Sequence, residues 1–222
     1  MKSARKAADN APSMAVLLFA GAQVPKPLAD LPVHPIGAAA DVDAAVGAYQ
    51  RLVVAGGDAD LATTLTRLLR AERLDVEVGY AAPRRTPATR VYRLATGKRA
   101  ARRARSGTAR RVPLIRDDTG TVIVGRAQWR PADESRVIHG EAVVDDTSLF
   151  DGDVSGVRIE PTPAVPGLRA SIDGGLFRRW VPGRAAQLGT TGATVVRDGV
   201  AGGRPVRRST FYRHIEGWLL VG

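Results

Sequence analysis

The stretch Leu52-Val53-Val54-Ala55-Gly56-Gly57-Asp58 decides the fold of this chain. Its four apolar residues form a short continuous run, which is typical of a strand buried on both faces of a parallel sheet. The glycine pair closes the strand, and from Asp60 onward leucines recur at helical spacing at positions 61, 65, 68 and 69. A glycine turn between a strand and a helix lets backbone N–H groups approach a phosphate. The stretch therefore predicts an α/β domain with a phosphate loop.

The flanking segments extend this pattern into a parallel sheet. Residues 15–19 form a second apolar run, Asp41 can cap a helix that continues to about Tyr49, and residues 76–80 form a third strand. Strand, helix, strand, glycine turn and helix in this order are typical of parallel α/β folds. We therefore predict an α/β N-terminal domain with a parallel sheet.

The second half of the chain has a different pattern, in which short strands alternate with turn residues. The expected strands span residues 112–116, 121–129, 156–160, 168–172, 176–181, 193–197, 206–212 and 218–221. Turn signals at this spacing indicate an antiparallel sandwich or a curled sheet. The predicted organisation is a disordered tail over 1–13, a nucleotide-binding-like α/β domain over 14–110 and a mostly antiparallel, β-sandwich-like domain over 111–222.

The positive charge of the chain is concentrated in one segment. The formal net charge is +11, and residues 84–111 hold eleven basic residues and no acidic one, which leaves the remainder formally neutral. Within this segment Thr96 can cap a helix that turns Ala100, Ala101 and Ala104 inward and ends at Gly107. Such a block attracts nucleotide phosphates, an anionic lipid or membrane surface, or nucleic acid, while a solvated helix face is an equally open alternative.

The composition of the chain excludes some classes of function and disfavours others. The chain has no cysteine, so disulfide and thiolate chemistry are excluded. No apolar stretch approaches the roughly 20 residues of a membrane helix, and the basic start with its short apolar run predicts a tail and a first strand, not a signal peptide. We expect a cytoplasmic protein that can lie peripherally at the inner face of the membrane. Aromatic residues make up 5%, so nucleic acid is the least favoured partner.

The stretch from Leu52 to Asp58, with the helix after it, resembles the catalytic domain of diacylglycerol kinases and related lipid kinases, where a strand runs into Gly-Gly-Asp-Gly-Thr. The order of the other elements is similar, and Arg197-Asp198-Gly199 precedes the final strands. The resemblance implies ATP in the cleft between the domains, with Gly56, Gly57 and Asp58 at its phosphates and Asp58 at Mg²⁺.

The resemblance also implies a reaction, the transfer of a phosphoryl group from ATP to a lipid hydroxyl. Asp198 would match the family's catalytic carboxylate and draw the proton from that hydroxyl. Asp198-Gly199 is equally typical of a tight hairpin turn, which is the structural alternative. The sequence carries no indication of an oligomeric state.

Four elements depart from the family's pattern. Ala59-Asp60 replaces Gly-Thr, which brings a Cβ and an anion into the phosphate loop, and residues 19–22 replace the Asn-Pro-Xaa-Xaa-Gly segment. Residues 83–89 replace Gly-Thr-Gly-Asn-Asp, and Val200 replaces the Glu of Asp-Gly-Glu. These changes support the alternative of a catalytically inactive kinase-fold protein that binds a lipid, a nucleotide or another protein.

Arginines within the altered segment offer another way to hold a nucleotide. Arg84, Arg85 and Arg90 could bind phosphates through their guanidinium forks instead of glycine amides. We assign Arg84, Arg85 and Thr86 to the predicted nucleotide site.

Overall fold

The computed structural model describes residues 13–132, 135–174 and 178–222, so the predicted tail lies outside it except for Ser13. The first half of the chain carries all the α-helices of the described residues, and two short 3₁₀ helices at Lys26–Leu28 and Ala39–Val42. Its elements in chain order are β1 (Met14–Phe19), β2 (Val33–Ile36), α1 (Asp43–Val46), β3 (Arg51–Ala55), α2 (Asp58–Arg70), β4 (Glu77–Tyr80), α3 (Pro87–Val91), α4 (Gly97–Ser106) and β5 (Ala109–Val112).

The second half consists of strands and turns over its described residues. The strands in chain order are β6 (Ile115–Asp117), β7 (Val122–Ile123), β8 (Ala127–Pro131), β9 (Ile138–Val144), β10 (Thr147–Val154), β11 (Val157–Pro161), β12 (Leu168–Ile172), β13 (Val181–Gly183), β14 (Ala185–Arg197), β15 (Val200–Ala201), β16 (Val206–Arg213) and β17 (Trp218–Val221).

The first sheet has six strands in the order β2-β1-β3-β4-β17-β5. The neighbours from β2 to β17 pair in parallel, and only β5 at the edge runs antiparallel to its neighbour. The predicted parallel sheet of the α/β half is therefore confirmed. Among the described residues, no helix is long and apolar enough to cross a membrane.

Helices cover both faces of this sheet, because alternate residues of a strand point to opposite sides. Leu52 and Val54 of β3 share a core with Leu61, Leu65 and Leu68 of α2. The residue between them, Val53, packs instead with the alanines of α4 on the other face. The apolar run of β3 is thus fully buried, as its composition predicts.

The basic helix α4 lies on the sheet through its small residues. Ala100, Ala101 and Ala104 are buried, as predicted. A Cβ on Gly79 of β4 would lie 2.7 Å from the Cβ of Ala104, so only glycine allows this close approach. Gly107 follows the helix with a φ of −72°. The helix therefore ends in an extended residue, and the left-handed cap that glycine often supplies is not used.

The last strand corrects one expectation from the sequence. Residues 218–221 were predicted to join the antiparallel half, but β17 pairs in parallel with β4 and antiparallel with β5 in the first sheet. Trp218 and Leu220 are buried in the core that α2 covers. The returning strand β17 occupies the edge of β4 that β3 leaves open. An alternating apolar pattern does not specify which sheet edge a strand will join, so the sequence could not predict this position.

The second sheet contains eleven strands, and all of its pairings are antiparallel. The long strand β14 pairs along its length with β8, β9, β15 and β16, with a register shift between Gly189 and Ala193. The hydrophobic core of the second sheet includes the fully buried Trp129 and Phe211. The prediction of an antiparallel second half is confirmed.

Two predicted strands are interrupted in the structure. The expected strand 121–129 is divided into β7 and β8 by a turn, and the expected strand 112–116 is divided into β5 and β6 around Pro113. Proline has no N–H to donate to a sheet ladder, which explains the second break. The first break has a tertiary cause, because the carboxylate of Asp198 binds the backbone N–H groups of residues 124–126. The expected strand 176–181 lies partly outside the described residues.

Candidate functional site

The predicted phosphate loop contains an anion supplied by the chain itself. Gly57 is the N-cap of α2, which begins at Asp58, two residues earlier than expected. The Oδ2 atom of Asp60 accepts a hydrogen bond from the Gly57 N–H at 2.7 Å. The same carboxylate lies over Gly56, where any Cβ would collide with it. One backbone donor of the predicted phosphate loop, the Gly57 N–H, is therefore already engaged by Asp60.

Asp58 lies beside this loop and is 9% exposed. Its Oδ1 accepts a hydrogen bond from the Tyr80 hydroxyl at 2.9 Å, and its Oδ2 accepts one from the Ala88 N–H at 3.0 Å. Burial raises the pKa of Tyr80, and the negative charge of Asp58 raises it further, so the phenol remains a donor. Asp58 thus connects the start of α2 with the end of β4 and the first turn of α3.

Asp198 occupies the first position of a two-residue hairpin loop between β14 and β15. Its φ is +46° and that of Gly199 is +92°, which is the backbone of the turn that Asp-Gly favours. Its carboxylate accepts three backbone N–H groups, from Val124 at 2.9 Å, Gly125 at 2.7 Å and Arg126 at 2.8 Å. These bonds hold the turn between β7 and β8 and account for the break in the expected strand.

Opposing electrostatic effects set the pKa of the Asp198 carboxyl group. Burial raises its pKa to about 7, the three backbone N–H groups lower it, and the nearby negative charge of Asp58 raises it. The side chain is therefore a carboxyl group that titrates near neutral pH, with its oxygens engaged by the 124–126 turn.

The predicted metal ligand Asp58 and the predicted catalytic residue Asp198 meet at Gly125. Its N–H donates to Asp198, and a Cβ on Gly125 would lie 2.7 Å from Oδ2 of Asp58 and 2.9 Å from the Cβ of Pro87. The structure therefore brings Asp58 and Asp198 to one place, although 140 positions separate them in the sequence. Their assignment to metal binding and catalysis remains a prediction.

The other predicted nucleotide-binding residues lie around α3. Thr86 is its N-cap, accepts the Thr89 N–H at 3.1 Å and donates its own N–H to the Thr89 hydroxyl. Arg84 and Arg85 are exposed. Arg85 lines a depression of about 490 Å³ with Arg90, Arg93 and Arg99, and the glycine loop is not part of that lining. Arg85 and the glycine loop, both predicted to bind the nucleotide, therefore do not line this depression together.

The basic segment forms an exposed surface, which we call the arginine face. Within it, Arg105 pairs with Asp30 and Arg111 pairs with Glu216. The remaining cations of the segment are exposed and make no ion pair with any acidic residue that the structure describes, and they are Arg84, Arg85, Arg90, Arg93, Lys98, Arg99, Arg102, Arg103 and Arg110. The arginine face is therefore a large uncompensated positive charge.

The site also contains Tyr80, Gly125 and the α3 backbone, which were not predicted from the sequence. Tyr80 ends an expected strand, where an aromatic residue is common simply because such strands are buried. Gly125 lies inside an expected continuous strand, where an isolated glycine signals a bulge or a close backbone approach. That signal was available and pointed to the turn that Asp198 holds.

The whole chain is similar in structure to several kinases. A diacylglycerol kinase structure from Bacillus anthracis str. Sterne matches with a TM-score of 0.69 and 11% identity, covering 94% of this chain and 96% of that one. An NAD kinase from Archaeoglobus fulgidus in complex with ATP matches with a TM-score of 0.62 and 11% identity, covering 94% and 93%. Yeast NADH kinase complexed with NADH matches with a TM-score of 0.60 and 10% identity, covering 96% and 84%.

These likenesses concern the fold. No family model matches the sequence, and no curated protein does so either. The chain has the two-part fold of the diacylglycerol kinases and NAD kinases over nearly its full length, which confirms the fold that the resemblance at residues 52–58 implied.

Proposed function

We propose that this kinase-fold protein does not transfer phosphoryl groups and instead binds an anionic lipid surface through its arginine face. The observation that supports the first part is the Asp60 carboxylate, which accepts the Gly57 N–H and covers Gly56. The observation that supports the second part is the set of exposed cations without an ion-pair partner among the described residues.

The residues at the glycine loop do not fit Mg²⁺-bound ATP. A phosphate oxygen about 4 Å from the Asp60 carboxylate would be opposed by roughly 4 kcal/mol at an effective dielectric constant of about 20. Asp58 uses both of its oxygens to hold β4 and α3, and Asp198 uses its own to hold the 124–126 turn. A phosphoryl-transfer site loses about a hundredfold or more in rate for each electrostatic contact removed.

The alternative is the lipid kinase activity that the resemblance implies. It is favoured by the fold and by the meeting of Asp58 and Asp198 at Gly125, and the ATP complex of the NAD kinase makes ATP the nucleotide to test. Against it stands the engagement of all three carboxylates in internal hydrogen bonds. We therefore place it second.

The arginine face suits a membrane surface because α4 is anchored by its alanines and presents its cations outward. Lys98, Arg99, Arg102 and Arg103 all lie on the exposed side of this helix. Each basic residue near an anionic bilayer contributes about 1 kcal/mol to binding. Four such residues on one short helix are sufficient for reversible, salt-sensitive attachment.

The test combines vesicle pelleting with a kinase assay. We expect the protein to pellet with vesicles of phosphatidylcholine and phosphatidylserine at low salt, and to be released at high salt or from phosphatidylcholine alone. Replacing Arg102 and Arg103 by Gln should weaken binding by about thirtyfold, at about 1 kcal/mol for each residue. The matched control removes two exposed arginines from β16, Arg207→Gln with Arg208→Gln, and should have no such effect.

The kinase assay uses the same vesicles with diacylglycerol, Mg²⁺ and ATP. We expect no phosphorylated lipid and no thermal shift at millimolar ATP, because a ligand stabilises the folded state in proportion to the logarithm of its concentration over its Kd. Formation of phosphorylated lipid would overturn the non-catalytic assignment, and equal pelleting of the Arg102/Arg103 variant and the wild type would overturn the membrane assignment.

A further inference from the structure

A second depression, which we call the α3 groove, lies between α3 and the outer surface of β11 and β12. Its volume is about 440 Å³. Its lining combines residues from both halves of the chain, and those that matter here are Arg90, Arg93, Arg158, Arg169, Arg178 and Trp180. Only Arg90 and Arg93 belong to the basic segment 84–111. The second sheet supplies the other three arginines and an aromatic ring.

Positive charge in the α3 groove exceeds the negative charge that faces it. Arg169 is paired with Glu160 across β11 and β12 at 2.7 Å. Asp173 is shared between Arg158 and Arg178, at 3.5 Å from each. Arg90 and Arg93 pair with no acidic residue that the structure describes. Five guanidinium groups thus face two carboxylates.

Arg158 carries the unsatisfied part of this cluster. Its Nε atom is buried and has no hydrogen-bond partner among the residues that the structure describes. Burial lowers the pKa of Arg158, Asp173 raises it, and the positive charges of Arg126 and Arg178 lower it again. Arg158 lines the groove with the exposed part of its side chain, and an anion bound there would reduce the repulsion between the guanidinium groups.

Trp180 gives the groove a fixed wall. The guanidinium carbon of Arg169 lies 4.2 Å from the centre of a Trp180 ring, and that of Arg178 lies 5.7 Å from it. Stacking on an aromatic ring restricts the orientation of a guanidinium group and leaves its N–H edge available. Two of the five guanidinium groups are therefore held in place before any ligand binds.

We propose that the α3 groove binds a phosphomonoester group, with Arg158 as the central donor and Arg90, Arg93 and Arg178 around it. A terminal phosphate matches the site because it carries close to two negative charges and three acceptor oxygens, and guanidinium forks bind such groups in a bidentate manner. The inference rests on the proposed function, because it names the chemical group that the arginine face recognises. The group is shared by a lipid headgroup and a soluble phosphate ester.

The first experiment is calorimetric titration of the full chain with inorganic phosphate at low ionic strength. We expect saturable binding that Arg158→Gln weakens by about tenfold, the loss typical of a charge-assisted hydrogen bond. Because Arg158 is partly buried, its variant is first checked for a cooperative unfolding transition, and Arg90→Gln serves as a second variant at an exposed position. Arg208→Gln removes the same charge from β16 and should bind phosphate as the wild type does.

The second experiment identifies the source of the phosphate group. Vesicles of phosphatidylcholine with phosphatidic acid expose a phosphomonoester, and vesicles with phosphatidylglycerol at matched charge expose only phosphodiesters. A preference for phosphatidic acid that Arg158→Gln removes assigns the groove to a lipid headgroup. Phosphate binding in solution without that preference assigns it to a soluble ester.

The proposal is overturned if phosphate does not bind, or if Arg158→Gln and Arg90→Gln bind it as tightly as Arg208→Gln. Its failure is distinguishable from failure of the proposed function. Salt-sensitive pelleting with phosphatidylserine can persist without phosphate binding in the groove, which would leave the membrane assignment intact. Detection of phosphorylated lipid would remove the non-catalytic assignment, while the titration would still decide the groove.

Discussion

The carboxylates of Asp58 and Asp198 both lie beside Gly125. Asp198 accepts the Gly125 N–H at 2.7 Å, and the space where a Cβ of Gly125 would lie is 2.7 Å from Oδ2 of Asp58. Both carboxylates therefore meet at the junction of the two halves of the chain. In this protein both carboxylates have a structural role, because Asp58 accepts the backbone N–H of Ala88 and Asp198 accepts the three backbone N–H groups of residues 124–126.

Removing the Asp58 carboxylate should destabilise the protein. Asp58→Ala leaves the Ala88 N–H and the Tyr80 hydroxyl without their acceptor, which costs about 2–4 kcal/mol of unfolding free energy. Asp58→Asn should cost less, because its amide oxygen can accept the N–H while the phenol accepts from its NH₂. Urea unfolding measures both, with the exposed Asp151→Ala as the control that should be near neutral. Full stability of Asp58→Ala would contradict this role.

Adding one methyl group at Gly125 should also destabilise the junction. The Cβ of Gly125→Ala would lie within 3.0 Å of Asp58, Pro87 and the Ala88 backbone, and such overpacking costs about 1–3 kcal/mol. Gly203→Ala is the matched control, because nothing lies within 4 Å of its added Cβ. In the double variant with Asp58→Ala, the loss should be smaller than the sum of the single losses, since one of the clashing atoms is gone. Strict additivity would argue against this contact.

Replacing Asp60 by Thr should open the phosphate loop to nucleotides. The Thr hydroxyl can still accept the Gly57 N–H as a cap, but the negative charge over Gly56 is removed. We expect the affinity for Mg²⁺-bound ATP to rise by about tenfold at low salt, which is less than the full Coulomb term because the loop is close to solvent. Calorimetric titration measures the change. Asp60→Asn should give the same direction, and unchanged affinity in both variants would show that Asp60 is not what excludes ATP.

The stability of the protein should depend on pH through Asp198. Its pKa is raised from 3.8 to about 7 in the folded state, so between these values the folded state holds a proton that the unfolded state has lost. By linkage, its contribution to the unfolding free energy grows as the pH falls from 7 toward 4.

Comparison with Asp198→Asn isolates this contribution. Asn tolerates the positive φ of the position but does not titrate. Urea unfolding at pH 8, 6.5 and 5 should show the wild type gaining on the variant as the pH falls. Burial lowers the pKa of His214, which has the opposite effect on stability, but His214 is present in both proteins and cancels. A difference that does not vary with pH would contradict the prediction.

The sequence by itself determined several local elements of this protein. The apolar run of β3, the glycine turn, the leucine spacing of α2 and the inward alanines of α4 are all found as predicted. These features depend on neighbours within a few residues, because side-chain periodicity and turn chemistry act locally. The positive charge of residues 84–111 also follows from the sequence alone, because it depends only on the number of basic and acidic residues in the segment.

The tertiary structure alone decided where the elements meet. It placed β17 beside β4, joined Asp198 to a turn 73 residues earlier in the chain, and added Arg158 and Trp180 to the basic residues of α3. Tertiary structure also decides whether the glycine turn can bind a phosphate. Asp58 accepts hydrogen bonds from Tyr80 and Ala88, which lie 22 and 30 positions away in the sequence. Such pairings depend on which segments fill the same space, and no local pattern encodes them.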